Sequence, residues 1–129
     1  MAGHKRLKVY FDGGCRPNPG PMEVAAVMRG LANVRTDIGI GTNGDAEWLA
    51  LLHALEVAQA SGADEFELLG DSRSVIAQAQ GRTKAASPAD RAHLEQFLKL
   101  AEVKPPVRLR WIKREQNLAG IALNARHPR

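Results

Sequence analysis

Residues 13–21 read Gly-Gly-Cys-Arg-Pro-Asn-Pro-Gly-Pro and follow directly on the segment Leu-Lys-Val-Tyr-Phe-Asp at 7–12. Three prolines without an N–H and three glycines without a Cβ exclude a helix here and demand a tight, irregular turn. The segment before it has the period-two alternation and the β-branched and aromatic content of a strand. Asp12 is therefore a carboxylate carried by a strand onto a turn whose backbone a ligand can approach closely.

The rest of the chain alternates between strand and helix signals. Val24 to Met28 reads as a second strand, Gly30 to Asn33 as a turn, and Val34 to Ile40 as a third strand of an antiparallel meander. Gly39, Gly41 and Gly44 break that pattern. Residues 43–60 predict a helix, with Trp48, Leu51, Leu52 and Leu55 on one apolar stripe. Thr42 or Asn43 can cap its start, and Asp45 and Glu47 are expected in its first turn, where the helix dipole favours acids. Residues 65–69 read as a short strand and 72–80 as a short helix. Asp71 then lies at the C-terminal end of a strand, where open α/β sheets gather their ligands. Ser87-Pro88-Ala89-Asp90 is a strong helix start, and Leu94, Phe97, Leu98 and Ala101 are its expected buried stripe. Pro105-Pro106 ends that helix, 107–112 predicts a last strand, and 118–126 a final helix.

At 129 residues and 44% hydrophobic, the chain fits one domain, residues 1–129, with a real core. The single Cys15 excludes an internal disulfide and favours a reducing setting. Neither a signal-like apolar run at 1–8 nor a membrane-length segment is seen, so a soluble, cytoplasmic protein that does not engage a membrane is expected. Net charge is +4, but residues 104–129 alone carry +6 while residues 1–103 carry −2. A basic end on a near-neutral body suits a polyanion such as nucleic acid, although a solvated basic face has the same composition.

Three segments carry chemistry together: Asp12-Gly13-Gly14-Cys15-x-x-Asn18-Pro19-Gly20-Pro21, Thr42-Asn43-x-x-Ala46-Glu47 and Gly70-Asp71-Ser72. Singly, Asp12 could open an Asx turn, Glu47 could be a helix-dipole acid, and Asp71 could be an N-cap. In this order and spacing, and with Arg114-x-x-Asn117 before the last helix, they resemble the ribonuclease H type 1 family over nearly the whole chain. The resemblance implies an α/β ribonuclease H-like fold, a mixed five-stranded sheet flanked by helices. Only 45 residues separate Asp71 from Asn117, so the chain resembles the short form of the family, without the basic-protrusion helix.

Phosphodiester hydrolysis needs an activated water and a stabilised transition state and leaving oxygen, which two Mg²⁺ ions about 3.5–4 Å apart supply. Mg²⁺ takes carboxylate oxygens, retained waters and substrate phosphate. Asp12, Glu47 and Asp71 are accordingly assigned as ligands of two Mg²⁺ ions, with Mn²⁺ able to substitute. The resemblance implies that Asp12 bridges the two ions. It also puts Gly14, Cys15 and Asn18 where the family reads RNA 2′-hydroxyls, and Thr42 and Asn43 where it touches the DNA strand and its phosphate. Ser72 is placed near the RNA strand. Arg114, with Lys113, Arg110 and Arg108, can meet phosphates, and Asn117 belongs to the same substrate-binding set. Departures from the family pattern are Pro17 for a Gly, Gly44 for a polar residue, and Met22-Glu23 for a pair of small residues.

The family usually carries a fourth acid in Asn-x-x-Ala-Asp. Here the text is Asn117-Leu118-Ala119-Gly120-Ile121-Ala122-Leu123-Asn124, so Ile121 takes the acid's position, and no Asp or Glu follows Glu115. Asn124, three residues on, offers a neutral carbonyl on a similar face and completes the candidate catalytic and metal set. Three readings stay open: a working site with three acids and reduced rate, a natural non-catalytic module, or an engineered change to Asn at 124. The resemblance also offers His127 a role in product release, as a mobile His plays in some family members, although a lone terminal His can equally be idle. The expected activity is divalent-metal-dependent endonucleolytic hydrolysis of the RNA strand of RNA/DNA hybrids, leaving 5′-phosphate and 3′-hydroxyl ends, by a monomer. The alternative is a non-catalytic module that binds RNA/DNA hybrid or duplex RNA.

Overall fold

Alternation sets the first layer. In the computed structural model, which describes residues 6–127, β1 (Leu7–Cys15) buries Leu7, Val9, Phe11, Gly13 and Cys15 on one face and turns Tyr10, Asp12 and Gly14 to the other. The strand runs three residues past the expected end at Asp12, into the glycines. A Cβ on Gly13 would stand 2.2 Å from the carbonyl oxygen of Ala46, so only glycine lets the strand continue under the helix above it. After a Pro/Asn turn, β2 (Gly20–Met28) returns antiparallel, with Asp12 opposite Ala25 and Gly14 opposite Glu23.

β3 (Leu31–Arg35) begins three residues earlier than the sequence implied. Arg29 (φ 53°) and Gly30 (φ 77°) both take left-handed conformations and form a two-residue hairpin turn, so 31–33 are strand and not loop. The segment ending at Ile40 is a separate two-residue β4 (Ile40–Gly41) on the start of β2, which brings the expected five strands to six. β5 (Phe66–Gly70) and β6 (Arg108–Trp111) add in parallel beside β1, in the order β3-β2-β1-β5-β6.

The helices follow their local signals. α1 (Asn43–Ala60) starts at a capping box in which the Thr42 hydroxyl accepts from the Asp45 N–H and the Asp45 carboxylate accepts from the Thr42 N–H. Trp48, Leu51 and Leu55 pack with Val9, Phe11, Val24, Phe66, Leu68 and Phe97 in the main core, and Leu52 is only half-buried. α2 (Arg73–Ala79) and α3 (Pro88–Ala101) lie on this same side through Val75, Ile76 and Phe97. Leu98 was expected in the buried stripe of α3 but is 52% exposed, because α3 covers the outer side of α1 through a narrow face. Residues 80–87 link α2 to α3 without another helix. Among the described residues α4 (Leu118–Ala125) alone covers the opposite sheet face, through Ala119 and Leu123 against Ala25 and Val27. Among the described residues no helix is long and apolar enough to cross a membrane.

Candidate active site

Three elements deliver the acids. Asp12 stands inside β1 on the α4 face, and not at the strand's end. Glu47 is the fifth residue of α1, just past the first turn in which it was expected. Asp71 directly follows β5, held there by Gly70, where a Cβ would meet the Phe11 ring at 2.5 Å. One carboxylate oxygen from each of Asp12, Glu47 and Asp71 lies within 4.8 Å of the others.

Three negative groups this close, in a partly buried cleft, cannot all stay ionised without a cation. Burial, followed by the charges of Asp12 and Asp71, pushes Glu47 up to about 9. Burial, followed by the Asp71 charge, raises Asp12 to about 6, while contacts with Glu47 and Arg114 pull the other way. The protein alone therefore meets the repulsion by holding a proton on Glu47, with Asp12 as its hydrogen-bonding partner. The second oxygen of Glu47, Oε2, is buried with no hydrogen-bond partner. An unsatisfied buried oxygen on one of three convergent carboxylates is part of a donor set that fits Mg²⁺ or Mn²⁺.

Asn117 was expected to touch substrate, but it is fully buried. Its Nδ2 donates to the Phe11 carbonyl (2.9 Å) and to Asp71 Oδ2 (3.0 Å), and its Oδ1 accepts from the Ala119 N–H, capping α4. It is a positioning residue that ties Asp71, β1 and α4 together. Trp111, which the sequence reading passed over, fixes the other side: its Nε1 donates to the Asp71 carbonyl at 3.0 Å while its ring stacks under the Arg73 guanidinium. Ser72 is committed as the N-cap of α2, its hydroxyl accepting from the Val75 N–H.

The Pro/Asn turn is bound to the start of α1. The Asn43 N–H donates to Asn18 Oδ1 (3.1 Å), and the Cys15 N–H donates to Asn43 Oδ1 (3.1 Å). Cys15 is buried and its thiol points at the same two amide oxygens. With both amide oxygens used, the NH₂ groups of Asn18 and Asn43 remain as donors without a partner among the described residues. Gly20 is required because a Cβ there would come within 2.4 Å of the Pro17 carbonyl oxygen. Thr42, the α1 cap, is exposed beside this network.

A cleft of about 360 Å³ joins these parts, lined by the acidic trio with Gly14, Cys15, Asn43, Arg114 and the face of α4. Asn124 lines it, and its Oδ1 accepts from Arg16 at 3.4 Å. Ile121 does not line it and is 55% exposed. Arg16 and Glu23 also line the cleft. Neither was assigned from sequence, and the only signal for Glu23 was its replacement of a small residue after Pro21. His127 hydrogen-bonds Glu23.

A mixed sheet with α1 on one face, α4 on the other and three acids converging between them defines the ribonuclease H-like class. The model of the family described as reverse transcriptase-like matches residues 10–127. Ribonuclease HI of Halobacterium salinarum is 41% identical over 88 residues, covering 64% of this chain and 44% of that protein. Ribonuclease H of Methylorubrum extorquens is 32% identical over 92% of this chain and 56% of its own length. The bifunctional protein Rv2228c of Mycobacterium tuberculosis is 35% identical over 93% of this chain and 36% of its own length. The chain thus spans about a third to just over half of the curated relatives it matches. Among solved structures, RNase H1 from H. salinarum superposes with a TM-score of 0.80 at 33% identity, covering 92% of this chain and 94% of that one. LC11-RNase H1, solved in complex with an RNA/DNA hybrid, gives 0.81 at 29% identity over 92% and 93%. The chain belongs to the ribonuclease H type 1 family.

Proposed function

We propose that this chain hydrolyses the RNA strand of RNA/DNA hybrids, leaving 5′-phosphate and 3′-hydroxyl ends. The observation that carries this is the convergence of Asp12, Glu47 and Asp71 within 4.8 Å, in a cleft also lined by the Gly14–Cys15 backbone and by Asn43. The similarity to a ribonuclease H1 held on a hybrid supports it. Asp12, Glu47 and Asp71 would hold two Mg²⁺ ions, with Mn²⁺ as a substitute. When bound, the cations polarise the scissile phosphate, activate the attacking water and stabilise the leaving oxygen.

The chain's own residues prepare that event. Asn117 and Trp111 hold Asp71 from its side chain and its backbone, so that the carboxylate needs no reorganisation. Glu47 would have to give up its proton to hold a cation, which would couple metal affinity to pH. The Asn18 amide and the Gly14–Cys15 backbone contact sugar hydroxyls, the feature that separates RNA from DNA, while Thr42 and Asn43 meet the DNA strand and its phosphate. Arg114, with Arg16, neutralises phosphate charge at the cleft. Asn124 supplies a neutral oxygen at the α4 side. We propose further that residues 1–129 act as one monomeric domain in the cytoplasm.

The rival, a hybrid-binding module without turnover, draws on the absence of any carboxylate in α4. A labelled RNA/DNA hybrid incubated with Mg²⁺ or Mn²⁺ distinguishes the two. Cleavage of the RNA strand that Asp12→Asn abolishes is the expected result. Tight binding without cleavage would establish the binding module, and unchanged cleavage by Asp12→Asn would overturn the metal site.

A further inference from the structure

We infer that Glu23, on β2, supplies the fourth carboxylate of this site in place of the acid that α4 lacks; this rests on the metal-dependent reading above. The sheet register brings it there. Glu23 pairs with Gly14, and Asp12 pairs with Ala25, so Glu23 and Asp12 are diagonal neighbours on adjacent strands. Both project from the face that α4 covers, where diagonal positions lie about 7–8 Å apart. That separation is within reach of one long carboxylate and a cation, or a cation with one of its waters. The place directly opposite Glu23 is open, because Gly14 has no side chain and a Cβ there would meet only Asn43 Oδ1, at 3.7 Å.

The surroundings of Glu23 are those of a held acid and not of a solvated one. Its side chain is only 14% exposed, lines the same cleft as Asp12, Glu47 and Asp71, and is gripped by Arg126 Nε (3.3 Å) and by the His127 ring. Both partners come from the end of α4, the helix that carries Ile121 and Asn124. Arg16 and Arg114 line the remaining wall. The two guanidinium groups that line the cleft, with Arg126 behind Glu23, offset part of the charge of the acids and leave room for one more negative oxygen donor. Arg126 and His127 hold the two carboxylate oxygens of Glu23, one each, and they compete with the metal for it.

Mn²⁺ binding to the full chain without nucleic acid, followed through the paramagnetic resonance of the free aquo ion, separates a ligand from an anchor of α4. Glu23→Gln should weaken total Mn²⁺ affinity about tenfold, and Glu23→Asp should recover part of it. Arg126→Ala/His127→Ala, which removes the anchoring contacts but leaves the carboxylate, should bind Mn²⁺ as well as the parent or better. Unchanged Mn²⁺ affinity in Glu23→Gln overturns the inference. So does an equal loss in the Arg126→Ala/His127→Ala chain, since the effect would then be the anchoring of α4. Asp12→Asn run beside them keeps the two proposals apart: if it also binds Mn²⁺ normally, the metal site itself is wrong. If it alone loses binding, only the role of Glu23 falls.

Discussion

Replacing Glu47 by Gln should make the metal-free protein more stable while removing its activity. Glu47 carries a folded pKa of about 9 against an ordinary 4.5, chiefly through burial and then through the charges of Asp12 and Asp71. Between pH 4.5 and 9 the folded chain keeps a proton that the unfolded chain gives up. Stability contributed by this group is thus complete below pH 4.5 and is lost as pH rises toward 9. At pH 7 the unfolded state lies about 2.5 units above its own pKa, which at roughly 1.4 kcal/mol per unit amounts to a destabilisation of about 3 kcal/mol. Gln is neutral in both states and escapes it. For a domain of this size that corresponds to a melting temperature about 10 °C higher in chelator at pH 7, with the advantage vanishing near pH 4.5. The assay is thermal unfolding of both proteins in chelator at pH 4.5 and pH 7, repeated with Mn²⁺. The parent should regain stability with metal, and Glu47→Gln should regain less. Equal stability of the two at pH 7 in chelator, or a gain of the same size at pH 4.5, would refute the reasoning.

Further outcomes follow from the same geometry. Asn117→Ala removes two donated bonds and the α4 cap from a fully buried position; it should cost about 2–4 kcal/mol in urea unfolding and lower cleavage even where the protein is fully folded. Gly13→Ala drives a methyl group to 2.2 Å from the Ala46 carbonyl, so denaturation should show a loss of about 3 kcal/mol or a protein that does not fold. His53 is held neutral mainly by burial, with its ring nitrogen against the Asn33 carbonyl. Its NMR titration should fall below 6.5, and its contribution to stability should rise with pH up to 6.5, where the unfolded chain binds the extra proton. Asp45 is held low, first by its hydrogen bond to His93, and this contribution, complete above pH 3.8, should be lost as pH falls through its folded pKa. His93→Ala should therefore flatten the acid limb of the stability profile.

Local chemistry made much of the fold legible. The limits of α1 at 43 and 60, the start of α3 at Pro88 and the end of β5 before Asp71 are written in caps, prolines and glycines. Their effects span only a turn or two. β3 was misplaced because the left-handed conformation of Arg29 has no signature in its residue type. Leu98 was misassigned because an apolar stripe does not say how wide a face its neighbour covers.

The sequence by itself determined the fold class, the Asp-Gly turn, the three acids and the absence of a carboxylate after Glu115. Only tertiary structure decided how they act, because the acids lie 35 and 24 positions apart and meet through packing. The approach of α1 to β1 over Gly13, and of β5 to Phe11 at Gly70, sets that meeting. Tertiary structure also turned Asn117 from a substrate contact into the buried support of Asp71. It put Asn124 in the cleft and Ile121 outside, and it brought Glu23 across from a neighbouring strand. No spacing along a chain encodes such partners, since strand register and helix docking are settled by which faces bury together.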